Sequence, residues 1–454
     1  MSSSSSIFDL VACATDFSAF EQPAAAPAAG ARGGKPRLRA VGPDERAARA
    51  GNPGWKSLLA QSAKGDGYSG DERNILLALE HAPELAGALK LNEFSGDILI
   101  ARDLPWRAAG GVWCDDDDTQ LIAWLQSQDV RARSQASIAR CVSVRAGRER
   151  FHPVRDYLNS LTWDGEPRLQ IWLADYLNAA GDPEYQSAVG KRWLVSAVAR
   201  VMKPGCKADC MLVLEGRQGL RKSTAAATLA VREEWFVDEL PDLGDKEAAI
   251  QLRGRWIIEL AELAAIRKSQ IEATKRFLAG RFDTYRPPYG LRSGQVQRQC
   301  VFIGTTNERE YLHDKTGNRR FWPVKCGKID IDALARDRDQ LWAEALHEYR
   351  AGTKWHLTNE EETLAAIAQA KRLHVTELEH DVQAWLARAV ASGKREVEAR
   401  DVLEAVLGVV HGSPGWADAA ARHGTAVAQA LRAAGWEKVG RLGGRRTVYA
   451  PGAQ

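Results

Sequence analysis

A short apolar strand that runs through a glycine-containing turn into a helix constrains this chain more than any other feature. The β-rich run Met211–Glu215 leads directly into the turn Gly216–Arg221. Two similar apolar runs follow at residues 255–260 and 300–305, and stretches with helical spacing separate them. Short buried strands that alternate with helices indicate a parallel sheet. We therefore predict an α/β core over residues 204–372.

The Gly216–Arg221 turn has the composition of a phosphate-binding loop (P-loop). Glycines between a strand and a helix let backbone N–H groups face phosphate oxygens, and a helix N-terminus attracts negative charge. In that setting Lys222 would reach the β- and γ-phosphates of a nucleotide, and Ser223 would bind Mg²⁺. The residues predicted to bind ATP are Gly216, Gln218, Gly219, Arg221, Lys222, Ser223 and Thr224. The alternative is a strand-to-helix turn that binds nothing.

Arg221 departs from the usual phosphate-loop pattern, which has a glycine at this position. If the backbone there needs a positive φ, an arginine strains the loop. A degenerate ATPase is therefore one of the functions that the sequence leaves open.

Two carboxylates accompany the second apolar run. An ATPase needs one carboxylate for Mg²⁺ and its water shell and another to polarise the attacking water. We assign Glu259 to the metal and Glu262 to the water, and the reverse assignment stays open. Asn307, after the third run, would orient the water or contact the γ-phosphate. The alternative is an ordinary polar turn at the end of a buried strand.

Two arginines precede a further short apolar run. Arg319 and Arg320 lie in the segment Thr-Gly-Asn-Arg-Arg-Phe-Trp at residues 316–322. In ring ATPases an arginine from one subunit stabilises transition-state charge in its neighbour's site. We predict this role for the pair, and two surface arginines without such a role are the alternative.

The net charge of +3 excludes a histone-like or polyacidic protein, so contacts with DNA must come from local basic segments. Residues 267–298 hold eight basic and two acidic residues interleaved with four aromatic ones. Cations contact phosphates and aromatic rings stack on bases, a combination that suits single-stranded DNA. The predicted contacts are Lys275, Arg276, Arg281 and Arg286. A solvated basic loop is the alternative.

The C-terminal segment, residues 376–454, predicts a winged-helix-like module. Helical stretches near 381–392, 398–408 and 424–434 are followed by two short strands around a Gly-Gly turn. The wing would place Arg441, Arg445 and Arg446 along the backbone of duplex DNA. A module that binds a partner protein or is purely structural is the alternative.

The amino-acid composition predicts three further regions, all before the α/β core. Residues 1–52 are rich in Ser, Ala, Pro and Gly and predict a disordered tail. Residues 53–150 predict a mixed α/β N-terminal region, and residues 151–203 a helical linker region. The chain has no apolar run of about 18 residues and no basic secretory signal, so we expect a cytoplasmic protein without a membrane span.

Five blocks, in order, resemble the virulence-associated E (VapE) family of phage and mobile-element proteins, whose ATPase is similar to superfamily 3 helicases. They are FHPVRDYLNSLTWDGEPR, PGCKADCMLVLEGRQGLRKST, WIIELAEL, FDTYRPPYG and GTTNEREYLHDKTGNRRFWPV, within about residues 150–330. The resemblance implies a AAA+-like ATPase core that acts on DNA in replication of a mobile element. It also implies that Asn307 is the sensor residue and that residues 275–290 face DNA. Larger relatives carry a primase ahead of the ATPase, and we expect no primase activity here, because the segment before the match has no recognisable catalytic acids.

These features together predict an ATP-dependent DNA helicase or translocase that uses ATP and Mg²⁺ and forms a hexameric ring. A DNA-binding initiator that uses ATP only to assemble is the alternative from a different class. The degenerate ATPase, motivated by Arg221, is the third.

Overall fold

The computed structural model describes residues 54–452 except 239, 241–245, 264–267, 286–293, 313–316, 374–376 and 443–445. The segment predicted to be a disordered tail, residues 1–52, lies outside the described residues. Within them, no helix combines the length and apolar composition needed to cross a membrane.

The N-terminal part of the described chain has its own apolar core, which includes Leu79, Trp113 and Leu121. Its helices are α1 (Glu72–His81), α2 (Asp115–Ser127) and α3 (Gln135–Ala146), and its strands are β1 (Leu89–Asn92), β2 (Ile98–Ile100) and β3 (Arg150–Phe151). The three strands form a sheet in the order β2-β1-β3, antiparallel between β1 and β2 and parallel between β1 and β3.

An acidic run, Asp115–Asp118, forms the first turn of α2. Carboxylates are favourable there because the N-terminus of a helix carries partial positive charge. Asp117 accepts a hydrogen bond from Arg107 at 2.8 Å, and Asp118 accepts one from the Trp113 indole at 2.8 Å. These carboxylates are therefore explained by the helix and its neighbours.

Three helices connect this region to the central sheet: α4 (Pro153–Ser160), α5 (Trp172–Leu177) and α6 (Pro183–Met202). Pro153 and Pro183 each stand in the first turn of a helix, where a missing N–H costs nothing. Helix α6 is fastened to the sheet by the buried Trp193 indole, which donates to the Phe302 carbonyl at 2.8 Å.

The central sheet has five parallel strands: β4 (Met211–Glu215), β5 (Phe236–Val237), β6 (Ile257–Leu260), β9 (Val301–Thr306) and β10 (Phe321–Lys325). Their order across the sheet is β10-β4-β9-β6-β5. The associated helices are α7 (Lys222–Leu229), α8 (Lys246–Gln251), α9 (Lys268–Leu278), α10 (Ile331–Arg350) and α11 (Asn359–Ala370). The expected α/β core with a parallel sheet is thereby confirmed.

A two-stranded antiparallel hairpin, β7 (Phe282–Tyr285) and β8 (Gly294–Gln297), stands between α9 and β9. Arg298 anchors its base, because this buried side chain donates from Nε to Asp283 at 2.9 Å. The Arg298 guanidinium also lies over the Phe302 ring of β9, 5.7 Å from its centroid. The hairpin is therefore joined to the middle of the sheet.

The C-terminal part packs helices α12 (Glu377–Ala391), α13 (Ala399–Leu407) and α14 (Trp416–Ala433) around a core that includes Val382, Leu403 and Val427. Strands β11 (Val397–Glu398), β12 (Trp436–Leu442) and β13 (Arg446–Pro451) form an antiparallel sheet in the order β11-β13-β12. Helix α14 begins at Trp416, earlier than the expected 424, because the alanine-rich start of this segment favours a helix.

Candidate nucleotide-binding site

Neighbouring strands of the central sheet bring the predicted nucleotide-binding residues to one edge. Strands β4, β9 and β6 are adjacent and parallel, so their carboxyl ends meet. The Gly216–Arg221 loop follows β4, and its first amide donates to the Thr306 carbonyl at the end of β9 at 3.1 Å. Ligands in open α/β sheets bind outside the carboxyl ends of the strands.

The Gly216–Arg221 loop has a backbone that favours glycine at two positions. Gly216 has φ +151°, and a Cβ there would lie 2.6 Å from Leu220 and 3.2 Å from the Cys326 carbonyl oxygen. Gly219 has φ +85°. Both glycines are therefore required by the path of the loop.

Arg221 also adopts the left-handed region, with φ +65° and ψ +31°, and its exposed side chain makes no hydrogen bond that caps α7. A residue with a Cβ in this region costs about 1–2 kcal/mol. The strain expected for an arginine at this position is thus present. The first amides of α7 have no acceptor within the helix, as at every helix N-terminus.

Lys222 is buried at the start of α7 and connects the loop to β9. Its Nζ donates to the carbonyls of Gly216 at 2.6 Å and Arg217 at 3.1 Å, and to Asn307 Oδ1 at 2.9 Å. Burial lowers the pKa of Lys222, and nearby Cys326 and Glu259 act in the opposite direction. The predicted lysine and the predicted sensor residue are therefore in direct contact.

Glu259 is 1% exposed and lies opposite Ser223 at the end of β6. Its Oε1 accepts hydrogen bonds from Ser223 Oγ at 2.7 Å and from Thr305 Oγ1 at 2.6 Å. Its Oε2 is buried and has no hydrogen-bond partner among the residues that the structure describes. A buried carboxylate oxygen without a partner is costly unless a cation binds it.

The donor set at Glu259 fits Mg²⁺. This ion prefers oxygen ligands, keeps several waters, and binds through one or two carboxylates together with substrate phosphates. The described residues contain no group of three or more His, Cys, Asp and Glu side chains that could hold a metal by themselves. The Glu259 carboxylate and the Ser223 hydroxyl therefore fit an ion that arrives with a nucleotide.

Glu262 lies two residues beyond the end of β6, at the same edge of the sheet, and is exposed. It has φ +51°, which is uncommon for a residue other than glycine. Strained backbone of this kind often occurs at functional sites.

Residues 158–374 match the model of the virulence-associated protein E-like domain. Residues 158–374, just under half of the chain, are accordingly similar to a VapE-like domain. The match confirms the resemblance seen in the five sequence blocks and extends past residue 330 through α10 and α11. No curated protein matches the chain.

Solved structures of the NrS-1 C-terminal region are similar to this chain. Three of them, all ligand-free, have TM-scores of 0.44–0.45 and sequence identities of 10–12%, and each similarity covers 80% of this chain and 96% of the other.

Sequence reasoning missed two groups of the VapE-like domain that support the loop. Thr305 completes the hydrogen bonding of Glu259, and its signal was the second polar residue at the end of an otherwise apolar strand. Glu215, directly before the loop, forms an ion pair with Arg372 at 2.8 Å and accepts from Tyr311 Oη at 2.9 Å. Arg372 has no local sequence signal, because its partner is more than 150 residues away.

Arg319 and Arg320 lie at the opposite edge of the sheet from the loop. They directly precede Phe321, which pairs with Met211, the first residue of β4. The five residues of β4 span about 16 Å at 3.3 Å per residue. Neither arginine therefore reaches Lys222 of its own chain. Arg319 is exposed, whereas Arg320 Nε lies 3.6 Å from Asp209.

The predicted DNA contacts of residues 275–290 separate into distinct environments. Arg276 is exposed, and Arg281 is exposed while its Nε donates to the Gly205 carbonyl at 2.7 Å. Lys275 is 4% exposed and pairs with Glu272 at 3.1 Å. A phosphate contact from Lys275 does not agree with this burial, so we remove it from the DNA-contacting set.

The remaining predicted DNA contacts are only partly described. Arg286 and Arg445 lie outside the described residues. Arg441 and Arg446 lie on the paired strands β12 and β13, where Arg441 is opposite Thr447 and Arg446 is opposite Leu442.

Proposed function

We propose that this chain is an ATP-dependent DNA helicase or translocase that acts in the replication of a phage or mobile genetic element. The observation that carries the proposal is the cluster of Lys222, Ser223, Glu259 and Asn307 at the carboxyl edge of a parallel sheet. Its order along the chain, from loop lysine to strand-end carboxylate to strand-end amide, is the one that a P-loop ATPase needs. The VapE-like domain supports the same reading.

The chemistry of this site is positioning and charge stabilisation. ATP would place its β- and γ-phosphates against the first amides of α7 and the Lys222 ammonium group, where a fixed cation stabilises charge in the transition state. Because the Lys222 ammonium already sits on the carbonyls of Gly216 and Arg217, it is held at the loop before nucleotide arrives.

Glu259 and Ser223 are the residues that would hold Mg²⁺, which when bound neutralises charge on the phosphates. Glu262 is the candidate general base, since it is exposed at the edge where the γ-phosphate would lie. Asn307 would position the attacking water or contact the γ-phosphate. Its contact with Lys222 gives it a fixed place beside the loop.

We further propose that the active site forms between subunits of a ring. The distance between the Arg319–Arg320 pair and the loop of the same chain supports this arrangement, because the pair could then act only in the site of a neighbouring subunit. Arg319 is the better candidate, since its side chain is exposed. Arg320, next to Asp209, is better suited to fixing the position of this turn.

Single-stranded DNA would contact Arg276 and Arg281 beside the β7–β8 hairpin, where the Arg281 guanidinium lies over the exposed Phe282 ring, 5.5 Å from its centroid. The C-terminal part has three helices and a three-stranded sheet in the order expected of a winged helix, and we propose that it binds duplex DNA. Its Arg441, Arg445 and Arg446 would contact the phosphate backbone.

Strand displacement tests this proposal. The full chain should hydrolyse ATP faster with single-stranded DNA and should separate a forked duplex only when ATP and Mg²⁺ are present. Turnover without strand separation would reject the helicase while leaving the ATPase.

A second function, an ATP-dependent assembly protein, is favoured by one observation, the left-handed backbone of Arg221. A strained loop can bind nucleotide yet fail to organise the transition state. ATP-dependent oligomers that form without turnover would support this second function.

A further inference from the structure

The exposed face of helix α14 has an unusual composition. Val427 is fully buried and marks the core side of the helix. The polar residues of the opposite face, which at 3.6 residues per turn span an arc of about 80°, are Asp418, Arg422, Thr425, Gln429 and Arg432. Both sides of this arc are occupied by small residues such as Ala421 and Ala433. These five polar side chains therefore form a narrow ridge along α14, and the small residues beside it leave the ridge accessible.

The charge on α14 differs from that on the other long helix of the same part. Helix α12 carries three acidic residues, Glu377, Glu379 and Asp381, and one arginine. Helix α14 has a single carboxylate, Asp418, and that carboxylate is paired with Arg422. The three acidic residues of α12 are typical of a helix face exposed to solvent. Helix α14, with its one paired carboxylate, is better suited to approach a negatively charged surface.

The segment that contains α14 and the β12–β13 hairpin is also the basic half of the C-terminal part. Residues 408–452 contain six Arg and Lys residues and two acidic residues. Residues 377–407 contain four Arg and Lys residues and seven acidic residues. Charge is therefore segregated onto the half that bears the polar ridge. This complementarity to a polyanion favours nucleic acid as the occupant of the face.

We infer that α14 enters the major groove of duplex DNA and reads its sequence. The inference rests on the proposed DNA-dependent function and adds to it a specific duplex site. A helix of 18 residues is about 27 Å long, and the major groove is wide enough to admit it.

Gln429 and Thr425, at the middle of the ridge, are the residues assigned to the bases. A glutamine amide can both donate to and accept from the edge of adenine, and threonine offers a hydroxyl and a methyl group. Arg432, near the C-terminal end of α14, is assigned to a phosphate at the edge of the groove, and Arg422 would have to exchange its Asp418 partner for a phosphate on the other side. Phosphate contacts fix the register and base contacts supply the specificity.

Selection of binding sites from a pool of randomised duplex DNA, using the full chain, tests the inference. The wild type should yield a consensus site and bind it at least about 1000-fold more tightly than random duplex at physiological salt. Gln429→Ala should weaken binding to the consensus about 5- to 150-fold, and should weaken binding to random duplex much less. Gln429→Met, which keeps the length and helix propensity of the side chain, should give the same pattern.

Gln383→Ala is the matched control, since Gln383 is an exposed glutamine on the acidic helix α12. It should bind consensus and random duplex as the wild type does. Absence of a consensus, or equal losses on both duplexes with both Gln429 variants, would overturn the inference. ATP hydrolysis by the same wild-type protein separates the two proposals. A consensus site without ATP hydrolysis would reject the proposed ATPase and support sequence recognition by α14. ATP hydrolysis without a consensus site would support the ATPase and reject sequence recognition by α14.

Discussion

Glu259→Gln is a sharp test of the metal assignment, because glutamine keeps the size of the side chain and removes its charge. In the folded chain Glu259 is 1% exposed, accepts from Ser223 and Thr305, and leaves Oε2 without a hydrogen-bond partner among the described residues. The wild-type site is therefore prepared for a cation that the variant should bind more weakly, since glutamine carries no negative charge and only its amide oxygen, not its N–H₂ group, can be a metal ligand.

Without nucleotide, the variant should be as stable as the wild type or more stable. In the variant, the two hydrogen bonds to the charged Glu259 carboxylate become hydrogen bonds to a neutral amide. Each change lowers the free energy of unfolding by about 1 kcal/mol. Glu259 forms no direct ion pair with a described residue, so removal of its buried charge offsets that loss by an amount on the order of several kcal/mol. The free energy of unfolding should consequently not fall.

With ATP and Mg²⁺ the two proteins should differ. A ligand present at 100 times its Kd adds about 2.7 kcal/mol to the stability of the folded state. For a core of roughly 170 residues this raises Tm by about 5–11 °C. Glu259→Gln should show less than about half of that increment.

Thermal unfolding followed by calorimetry, with ATP and with either Mg²⁺ or a chelator, measures this difference. Glu262→Gln is the matched control, because Glu262 is exposed at the same edge and is assigned to the water and not to the metal. A Mg²⁺-dependent increment in Glu259→Gln equal to that of the wild type would refute the metal assignment.

Three further predictions follow from the same geometry. Glu262→Gln should retain ATP and lose turnover, as measured by nucleotide retention and phosphate release, and wild-type turnover would move the water-activating role to another residue. A mixture of Arg319→Ala and Lys222→Ala proteins should recover part of the activity that each lacks, because some interfaces then combine an intact loop with an intact arginine; a mixture no more active than its components would contradict a shared site. Burial lowers the pKa of His152 below its usual 6.5, so its contribution to stability is present above that value and is lost as the pH falls below it. His152 Nδ1 accepts a hydrogen bond from the Arg155 amide at the start of α4, so His152→Asn should keep the cap. The variant should lose less stability than the wild type as the pH falls below 6.5, and an unchanged dependence of the unfolding free energy on pH would show that His152 is not the titrating group.

The strands that bear the site were predictable because their burial on both faces leaves continuous apolar runs. Met211–Glu215 was expected as a strand and is observed as one. The polar residues at the ends of β6 and β9 were the sequence signal for the candidate site. By contrast, Phe236–Val237 is a strand of two residues and has no periodic signal. Its place in the sheet follows only from pairing with β6.

Residues that depend on distant contacts could not be placed from the sequence. Lys275 belongs to a basic segment, and its burial results from packing near Gly317, some 40 residues away along the chain. In the same way, the sequence predicted only by analogy with ring ATPases that the Arg319–Arg320 pair acts in a neighbouring subunit. The parallel register of β10 with β4 shows the separation within one chain.

The most direct measurement of the central claim is ATP hydrolysis by the wild type and by Lys222→Ala, each with and without single-stranded DNA. The Lys222 ammonium group is held between the Gly216–Arg221 loop and Asn307, so its removal should take away the fixed cation at the transferring phosphate. We predict wild-type turnover that rises with single-stranded DNA, and a fall of at least about 100-fold in the variant. A Lys222→Ala protein that hydrolyses ATP at the wild-type rate would contradict the proposed nucleotide-binding site.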